Sequence, residues 1–370
     1  MKTLRLNEAE SESDLCILTK LISKSRKIII LTGAGISRNA GIPDFRSSSG
    51  LYKQTYNNGT INCKELFDVS IYREADTIEL FNRFMQKMYY NKVKKAKPTK
   101  THLFISALNK RRKLIRCYTQ NIDGLERQLG MKTEFDQLQD WPHLDVVQLH
   151  GDLNKLKCSR CFEKYEWNEI FVDQKGAEED AGLLIACPNC VEKYKKMQSS
   201  GKRCCASSIG IIRPNIVLYG EDHPYGEILA KGMERDISRR PKLFLIFGTS
   251  LKVVGVKRLV RKLCKTIHEN DPEGKVAIIN NTGLCQSSWG KYIDYQVLSD
   301  CDDWCNYVEK KVPRLFRETK KPENLKIGSK KRLSSSLSSS LSSSSSSSSS
   351  SHTIIIENPA KRIKAEIVVV

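Results

Sequence analysis

Long apolar segments are absent from this sequence of 370 residues. Residues 1–14 are polar and acidic, whereas a secretory leader has a basic start followed by an apolar run. Nowhere do about eighteen consecutive apolar residues occur, which is the length that a membrane-spanning helix needs. We therefore expect neither secretion nor a membrane span.

Acidic residues are too few to balance the basic ones, since 42 Asp and Glu stand against 62 Lys and Arg, a net charge of +20. Residues 317–370 hold ten basic and four acidic residues, so +14 of this charge lies in residues 1–316. Such a field favours polyanionic partners such as nucleic acid, chromatin or an acidic protein face. A solvated basic surface explains any single lysine run equally well.

Cysteine is plentiful, with thirteen residues. In a chain for which no secretion is expected, these are better explained as reduced thiols and metal ligands than as a disulfide framework. Their number indicates the cytosol or the nucleus.

The end of the chain has little apolar content. Residues 334–351 are almost entirely serine, interrupted by Leu337 and Leu341. Such a tract cannot bury enough apolar surface to offset its ordering entropy, so we predict that residues 317–370 are disordered. The basic clusters 330–332 and 361–364 flank the tract, and we consider them a hypothesis for nuclear import.

Between these ends, short apolar runs alternate with helical patterns, and 39% of all residues are hydrophobic, enough for a core in about two domains. This order predicts an α/β fold, a Rossmann-like parallel sheet with helices on both faces. The predicted strands are 27–31, 114–118, 146–149, 216–219, 243–247 and 276–280. The predicted helices are 15–25, 78–90, 102–110 and 257–270.

The alternating pattern stops between Leu156 and Ile212, where cysteines and charges concentrate. We therefore divide the folded part, residues 14–316, into two modules. The Rossmann-like module takes residues 14–51, 99–156 and 212–316. A smaller zinc-binding and helical module takes residues 52–98 and 157–211, with a zinc ribbon within 157–211.

Gly33 and Gly35 directly follow the first predicted strand. Glycines at this place allow a tight turn and close approach of the backbone to a pyrophosphate. The spacing departs from the usual dinucleotide fingerprint, because Arg38 stands three residues after Gly35 and the next glycine is Gly41. On these residues alone, a strand-to-helix turn without any ligand is equally compatible.

Four cysteines form two pairs with metal-ligand spacing, Cys158 with Cys161 and Cys187 with Cys190. Two such knuckles can place four thiolates around one zinc ion, and a site closed by four cysteines is structural because no coordination position stays open. The 25 residues between the pairs exceed the usual ~15–20. Cys204 or Cys205 could replace a member of the second pair.

His150 stands at a predicted strand end before a glycine, where its side chain can project into a cleft. Imidazole is the side chain whose unperturbed pKa suits proton transfer near neutral pH. A lone histidine is more often structural, and the remaining histidines keep that interpretation; His102 is predicted to open and order a helix.

Eight segments resemble the signatures of the sirtuin family, the class I NAD-dependent protein deacetylases, and stand in that family's order. They are 33–37 (GAGIS), 41–47 (GIPDFRS), 119–123 (TQNID), 149–151 (LHG), 212–217 (IRPNIV), 248–251 (GTSL), 280–282 (NNT) and 300–301 (DC). The segment 252–257 is similar to the fungal histone-directed branch. The resemblance covers residues 14–316 as a sirtuin catalytic domain.

The resemblance implies a catalytic base at His150 and a catalytic role for Asn121. It also implies a set of residues that contact NAD: Gly33, Ala34, Gly35, Ser37, Asp44, Phe45, Arg46, Tyr52, Gln120, Asn121, Ile122, Asp123, His150, Gly248, Thr249, Ser250, Asn280, Asn281, Thr282 and Cys301. In that family NAD is consumed, and the products are deacetylated lysine, nicotinamide and O-acetyl-ADP-ribose.

We therefore expect an NAD-dependent protein deacetylase in the nucleus, with a structural zinc ion and an acetylated protein substrate such as a core histone. The substrate is expected in the cleft between the modules, against residues 217–221. Chromatin association is expected, whereas direct DNA binding is left open. ADP-ribosyl transfer and a non-enzymatic chromatin scaffold are the alternatives.

Overall fold

The computed structural model describes residues 1–48, 50–53, 55–56, 61–170 and 184–317 and two strands, 353–356 and 365–368. Its strands are β1 Lys2–Leu4, β2 Ile28–Thr32, β3 Thr55–Tyr56, β4 Ile61–Asn62, β5 Leu114–Thr119, β6 Val146–Gln148, β7 Gly151–Cys158, β8 Lys164–Glu166, β9 Ile212–Ile216, β10 Leu243–Phe247, β11 Lys275–Asn280, β12 Tyr295–Leu298, β13 Thr353–Ile356 and β14 Ala365–Val368.

The α-helices of these residues are α1 Ala9–Lys24, α2 Ala75–Asn91, α3 Lys100–Lys110, α4 Trp167–Ile170, α5 Pro188–Ser199, α6 Gly226–Ser238, α7 Val254–Asn270, α8 Gln286–Trp289, α9 Cys301–Lys311 and α10 Pro313–Phe316. Short 3₁₀ helices fill several connections, at Ala34–Ala40, Leu51–Lys53, Glu65–Phe67, Val69–Arg73, Val93–Lys95, Leu125–Leu129, Leu138–His143 and Ala206–Ser208. No helix in the described part of the chain has the length and apolarity to cross a bilayer.

The main sheet has seven strands in the order β1-β12-β11-β10-β2-β5-β6. All of its strand pairs are parallel, as predicted. The central pair of strands is β10 and β2. On the side of β2 the sheet continues with β5 and β6, and on the side of β10 it continues with β11 and β12, so the chain builds the sheet outwards in two directions. In sheets of this kind, ligands bind at such a switch point, outside the carboxyl ends of the strands.

Two apolar cores cover the two faces of the sheet, which explains why its strands read as continuous apolar runs. Ile28 and Ile30 of β2 point into the core formed with α1, α3 and α9. Their neighbours Ile29 and Leu31 point into the core on the other face, with α7. Both faces are therefore covered by helices, and the predicted fold class is confirmed.

A second sheet of three strands, β8-β7-β9, belongs to the smaller module. Both of its pairs are antiparallel. Its core includes Phe81 and Met85 of α2 and Leu153 and Leu156 of β7.

The structure differs from the prediction at this second sheet. The strand predicted at 216–219 overlaps the observed β9 only at Ile216, and β9 pairs with β7 rather than with the parallel sheet. The predicted module boundary at 156 falls inside β7, and the one at 212 falls at the start of β9. Both strands belong to the second sheet, although the prediction assigns residues 151–156 and 212–216 to the Rossmann-like module. The physical reason is Gly151 with φ +86°, which turns the chain out of the parallel sheet directly after His150.

Within the segment predicted to be disordered, β13 and β14 form an antiparallel pair whose residues are mostly β-branched and include Glu366. The serine tract and both flanking basic clusters lie outside the described residues. Disorder of residues 317–370 therefore stays a prediction.

Helix α6 packs on the main sheet through a buried polar contact and a glycine. Its Asp236 accepts a hydrogen bond from Arg116 Nε at 2.9 Å and from Tyr118 Oη at 2.8 Å, and all three side chains are buried. At Gly232 of the same helix, the rigid indole of Trp141 occupies the space that a Cβ atom would need. The helix can approach this closely only because Gly232 has no side chain.

We predict that Gly232→Ala destabilises the protein by about 1–3 kcal/mol, because the added methyl group overpacks this contact. Gly255→Ala is the matched control, since its Cβ atom would meet nothing within 4 Å at the exposed start of α7. The control is expected to raise stability by up to about 1 kcal/mol. Chemical denaturation measures both; equal effects of the two substitutions would contradict this account of the α6 contact.

Candidate active site and metal centre

The predicted cofactor residues gather along one edge of the main sheet. They follow the carboxyl ends of β2, β5, β6, β10 and β11 and the end of β12, on both sides of the switch point. The structure therefore brings together segments that are more than 260 residues apart in the sequence, from Gly33 to Cys301.

The two central loops touch each other through their backbones. A Cβ atom on Gly33 would lie 2.7 Å from Thr249 Cβ, and one on Gly35 would lie 2.6 Å from Gly248 Cα. Gly35 N donates to Gly248 O at 2.9 Å. Gly248 itself has φ +57°, a conformation that favours glycine. These residues are thus glycines because the loops after β2 and β10 meet without room for side chains. This requirement is separate from any close approach of the backbone to a phosphate.

The chain after β2 continues as a 3₁₀ helix, Ala34–Ala40, and ends at Gly41 with φ +81°. Ala34 and Gly35 are half-buried at its start, whereas Ser37 is buried. Two of its first backbone N–H groups bind within the protein, Gly35 N to Gly248 O at 2.9 Å and Ile36 N to Gly33 O at 3.2 Å.

Ser37, Asn121 and Asp123 form a buried hydrogen-bond network beneath the site. Ser37 Oγ donates to Asp123 Oδ2 at 2.7 Å, and Asn121 Nδ2 donates to Ser37 Oγ at 3.0 Å. Asn121 Oδ1 is buried but has no hydrogen-bond partner among the described residues. Leaving a buried acceptor without a partner costs about 1–3 kcal/mol, so it marks a place where a ligand donor fits. The amide or hydroxyl groups of NAD are such donors.

Asp44, Phe45 and Arg46 belong to a loop that folds back on itself. Asp44 Oδ1 accepts from the backbone N–H groups of Arg46 at 2.9 Å and Ser47 at 2.8 Å. The Asp44 carboxylate also pairs with Arg38, with Nε 3.3 Å from Oδ2. These contacts fix the loop that carries the aromatic ring of Phe45 over the site.

Phe45 and Tyr52 pack on the smaller module. The ring of Phe45 lies 5.3 Å from that of Phe67 and 5.5 Å from that of Tyr52. Arg46 donates to Tyr219 Oη at 3.1 Å, and Tyr52 donates to the same oxygen at 3.2 Å. Tyr219 therefore joins the cofactor loop to the predicted substrate segment.

Gln120 connects the loops after β5 and β10. Its Nε2 donates to Thr249 Oγ1 at 2.9 Å and to Thr32 O at 3.2 Å. Thr249 is buried and Ser250 is half-buried beside it. Ile122 is half-buried and packs against the apolar core of the smaller module.

The far end of the predicted cofactor site lies after β11 and β12. Asn280 Nδ2 donates to Thr282 O and to Thr282 Oγ1, both at 2.9 Å, and Asn281 is exposed. Cys301 begins α9, and its thiol is buried 3.6 Å from Ile279 O. The backbone of Cys301 rather than its thiol is therefore the part that can face an adenine.

His150 lies between the parallel sheet and the smaller module. Its Nδ1 lies 2.9 Å from Gln120 O, and since a carbonyl only accepts, Nδ1 carries the proton and donates. The other nitrogen, Nε2, then has a free lone pair. Burial lowers the pKa of His150 below its usual range, and the positive charge of Arg46 lowers it further. The imidazole is thus neutral near pH 7 and able to accept a proton.

A small apolar cavity overlaps this network. Six predicted cofactor residues line it, namely Ala34, Ser37, Phe45, Asn121, Ile122 and Asp123. A larger cavity of about 220 Å³ has charged walls that include Asp152, Lys155, Lys164 and Glu166, and contains none of the predicted cofactor residues. Size favours the larger cavity, but the buried polar network identifies the smaller one as the candidate cofactor pocket.

Two residues beneath this pocket were not predicted to lie there. His102 orders the start of α3 as expected, since its Nδ1 accepts from Thr99 N at 3.1 Å. Its other nitrogen, however, lies in a buried group with the carboxylates of Asp123 and Glu126. Glu126 carries no sequence signal for this position, because only its burial distinguishes it from a surface glutamate.

The structure brings Cys158, Cys161, Cys187 and Cys190 into one cluster whose sulfur atoms all lie within 4.8 Å of one another. The Sγ atoms of Cys158 and Cys190 are 3.7 Å apart, and those of Cys161 and Cys187 are 3.6 Å apart. Four thiolates at ~2.3 Å from a tetrahedral zinc ion would be about 3.8 Å apart. The cluster is compatible with a structural zinc ion.

The second cysteine pair is resolved by this geometry. The thiols of Cys204 and Cys205 do not belong to the cluster, and Cys205 is exposed, with its Sγ 2.9 Å from Ser207 Oγ. The N–H groups of Arg160 and Cys161 point at Cys158 Sγ, at 3.3 and 3.4 Å. Such donors stabilise a thiolate that binds a metal ion.

Comparison with known proteins gives one consistent result. A sequence model of the Sir2 family matches residues 33–255. The chain is 46% identical over 319 residues to the NAD-dependent histone deacetylase HST3 of Candida albicans, an alignment that covers 83% of this chain and 64% of that protein. It is 47% identical over 312 residues to HST3 of Saccharomyces cerevisiae, covering 81% of this chain and 68% of that protein.

Solved structures agree with the fold. A Sir2 complex with a p53 peptide and NAD⁺ is 25% identical, with a TM-score of 0.58, and the match covers 80% of this chain and 98% of that one. The chain thus spans nearly the whole length of that solved structure but just under two thirds of the Candida albicans relative.

We predict that Cys187→Ser abolishes stoichiometric zinc binding and lowers the unfolding temperature, because three thiolates leave the tetrahedral site incomplete. Cys205→Ser is the matched control and is expected to keep both properties. Metal analysis of the purified proteins and thermal unfolding measure these effects. Zinc loss from the control instead of from the Cys187 variant would contradict the ligand assignment.

Proposed function

Because the chain belongs to the Sir2 family, we propose that it is an NAD-dependent protein-lysine deacetylase that acts on acetylated histones in chromatin. One observation carries the proposal. His150 has its tautomer fixed by the carbonyl of Gln120, the residue directly before Asn121 of the buried Ser37, Asn121 and Asp123 network. A base and a set of donors and acceptors for a dinucleotide are therefore held together at the switch point.

Each group of this network has a proposed task. Bound NAD would supply a ribose whose bond to nicotinamide is broken and which accepts the acetyl group. Asn121 Oδ1, which has no other partner, accepts a hydrogen bond from the cofactor, while Asp123 and Ser37 hold Asn121 in place. This fixed orientation is the main source of rate that such a site can offer.

His150 is the proposed general base. Its Nε2 takes a proton from a ribose hydroxyl while Nδ1 stays bonded to Gln120 O, so the ring keeps its orientation as it becomes charged. Phe45 covers the pocket from the side of the smaller module and excludes water. Exclusion of water prevents premature hydrolysis and strengthens the polar contacts.

The loops on either side of the switch point divide the cofactor between them. The loop at the start of the 3₁₀ helix Ala34–Ala40, together with Arg46, is proposed to bind the phosphates. Thr249 and Ser250 follow towards the adenosine ribose, and Asn280 and Asn281 lie beyond them. The zinc cluster takes no part in the reaction and holds the smaller module together.

Acetylated protein is proposed to bind between the modules, against residues 217–221. Val217 N donates to His150 O at 2.9 Å, which places this segment directly beside the base. Tyr219 is held on its other side by Phe67, whose carbonyl accepts from Tyr219 N at 2.8 Å. An extended peptide added along this segment would present its acetyl-lysine to the pocket.

Histones are the proposed substrate because the relatives from Candida albicans and Saccharomyces cerevisiae are named NAD-dependent histone deacetylases. The charge of +20 supports binding to chromatin, whose DNA is a polyanion. We propose a nuclear location on the same grounds; the basic clusters 330–332 and 361–364 that support it lie outside the described residues.

We expect His150→Ala to lower kcat by about 10²–10⁴-fold, the usual contribution of a general base, with little change in zinc content or fold. His143→Ala is the matched control, since His143 is exposed at the end of the 3₁₀ helix Leu138–His143 and does not line the pocket. Acetylated histone peptides with labelled NAD provide the assay. Nicotinamide and O-acetyl-ADP-ribose formed in equal amounts support deacetylation, whereas label retained on protein would instead show ADP-ribosyl transfer.

The dependence of the activity on pH should also show a decrease at acid pH that follows the protonation of His150. Because the pKa of His150 lies below its usual value of 6.5, the base is expected to stay neutral to lower pH than a free histidine. The value of kcat/KM for the acetylated peptide should therefore be constant near pH 7 and fall only below pH 6.5. A limb centred above pH 6.5 in the native protein would contradict the proposed environment of His150.

A further inference from the structure

A buried acidic cluster lies directly beneath the candidate cofactor pocket. It contains a ring nitrogen of His102, a carboxylate oxygen of Asp123 and a carboxylate oxygen of Glu126, all within 4.8 Å of one another. All three residues are buried, and the exposed fractions of His102 and Glu126 are both 0%. Nothing in the proposed reaction uses Glu126.

Little compensates for the burial of Glu126, because its own backbone N–H and the Thr119 hydroxyl lower its pKa by less than burial and Asp123 raise it. Neither carboxylate oxygen has a hydrogen-bond partner among the described residues. The residue points inward because Gly124, with φ +68°, turns the chain into the 3₁₀ helix Leu125–Leu129. An ionised carboxylate without a partner at such a depth would be very costly, so a neutral carboxylic acid is favoured.

The charges around Glu126 also favour its protonated form. Asp123 and Asp152 face it from the preceding loop and from β7, and both are acidic. The β5 groups that face it, the Cys117 thiol and the Thr119 hydroxyl, are uncharged. The nearby cation Arg127 pairs with Asp152 instead.

His102 does not supply the missing positive charge. Thr99 N donates to its Nδ1 at 3.1 Å, so in the neutral ring the proton is on Nε2, which is buried and has no hydrogen-bond partner among the described residues. Burial lowers the pKa of His102 and keeps it neutral, although Asp123 and Asp302 oppose this. Since Nε2 carries a proton, it has no lone pair for a metal ion. The cluster therefore contains a neutral imidazole and two carboxyl groups. Because no positive charge offsets two buried carboxylates, one of the carboxyl groups is expected to be protonated.

We propose that Glu126 is a positioning residue that retains a proton in the folded protein, so that Asp123 is the single charged carboxylate beneath the cofactor pocket. The assignment to Glu126 follows from their partners. Asp123 Oδ2 accepts from Ser37 Oγ at 2.7 Å and its Oδ1 accepts from Leu125 N at 3.2 Å, whereas among the described residues no donor lies in hydrogen-bond geometry to either Glu126 oxygen. The role in catalysis rests on the proposed function, but the protonation does not.

Ionisation of Glu126 would place a second negative charge within 4.8 Å of Asp123. The repulsion would displace Asp123 from Ser37, and Ser37 is the residue that holds Asn121. The proton on Glu126 thus preserves the orientation of the amide that meets the cofactor.

The expected pH range follows from the environment. Burial first, and then the negative charge of Asp123, raise the pKa of Glu126 to about 8, above its usual 4.5. The folded protein therefore binds more protons than the unfolded chain between these two values, so stability falls as pH rises through this range. Above about pH 8 the pair would become doubly charged, and the affinity for NAD is expected to fall.

The test compares Glu126→Gln, which keeps a neutral hydrogen-bonding group of the same shape, with Glu134→Gln, which removes an exposed glutamate from a neighbouring segment. For the native protein and the control, kcat/KM for NAD should fall about tenfold per pH unit above pH 8. The Glu126→Gln variant should lose this alkaline limb and keep its neutral-pH value within a few-fold. An unchanged alkaline limb in Glu126→Gln would overturn the positioning role.

Thermal unfolding without NAD or peptide separates this proposal from the proposed function. The unfolding temperature of the native protein and of the control should fall between pH 5 and pH 8 more than that of Glu126→Gln, and the variant should be the most stable of the three at pH 8. This result would stand even if no deacetylation were found. Parallel curves for all three proteins would overturn the proposal.

Infrared spectroscopy of the unaltered protein needs no variant and decides the matter if Glu126→Gln does not fold. With ¹³C-labelled glutamate, the carbonyl stretch of a protonated carboxyl group should be present at pH 7 and disappear above pH 9. Absence of this band at pH 7 would show that Glu126 is ionised and would overturn the proposal.

Discussion

The contact between two glycine loops is the constraint on which the site depends. Gly33 and Gly35 after β2 meet Gly248 after β10 with no room for side chains between them. Because β2 and β10 are the central pair of the sheet, this contact determines the separation of the loops on both sides of the switch point. A wider spacing would separate Gln120 from Thr249, whose hydrogen bond joins the loops after β5 and β10.

Beneath those loops, the polar interior contains groups that differ in how far the protein itself satisfies them. Arg116, Tyr118 and Asp236 satisfy one another behind the sheet and only fix α6. Under the pocket, Asn121 Oδ1 and both Glu126 oxygens have no such partners among the described residues. Since most buried polar groups in proteins are paired, these exceptions indicate a bound ligand at Asn121 and a retained proton at Glu126.

Much of this organisation could be predicted from the sequence. The strand at Leu243–Phe247 was predicted at its observed bounds because a buried parallel strand is a continuous apolar run. The cluster of four cysteines was predicted because the spacing within each pair reflects local geometry. The antiparallel pairing of β7 with β9 was not predicted, since short strands of mixed composition carry little periodicity. The inward thiol of Cys301 and the burial of Glu126 depend on tertiary packing, which leaves no local pattern.

Strand β7 connects two parts of the molecule that perform different tasks. It begins at Gly151, next to the imidazole of His150, and ends at Cys158 in the cysteine cluster. Its eight residues pair with the five residues of β9 at both ends, across a register irregularity between Asp152 and Leu156. The strand thus connects the cysteine cluster at one end to the neighbour of the proposed base at the other. A tilt of the smaller module would therefore also displace the backbone next to the imidazole of His150.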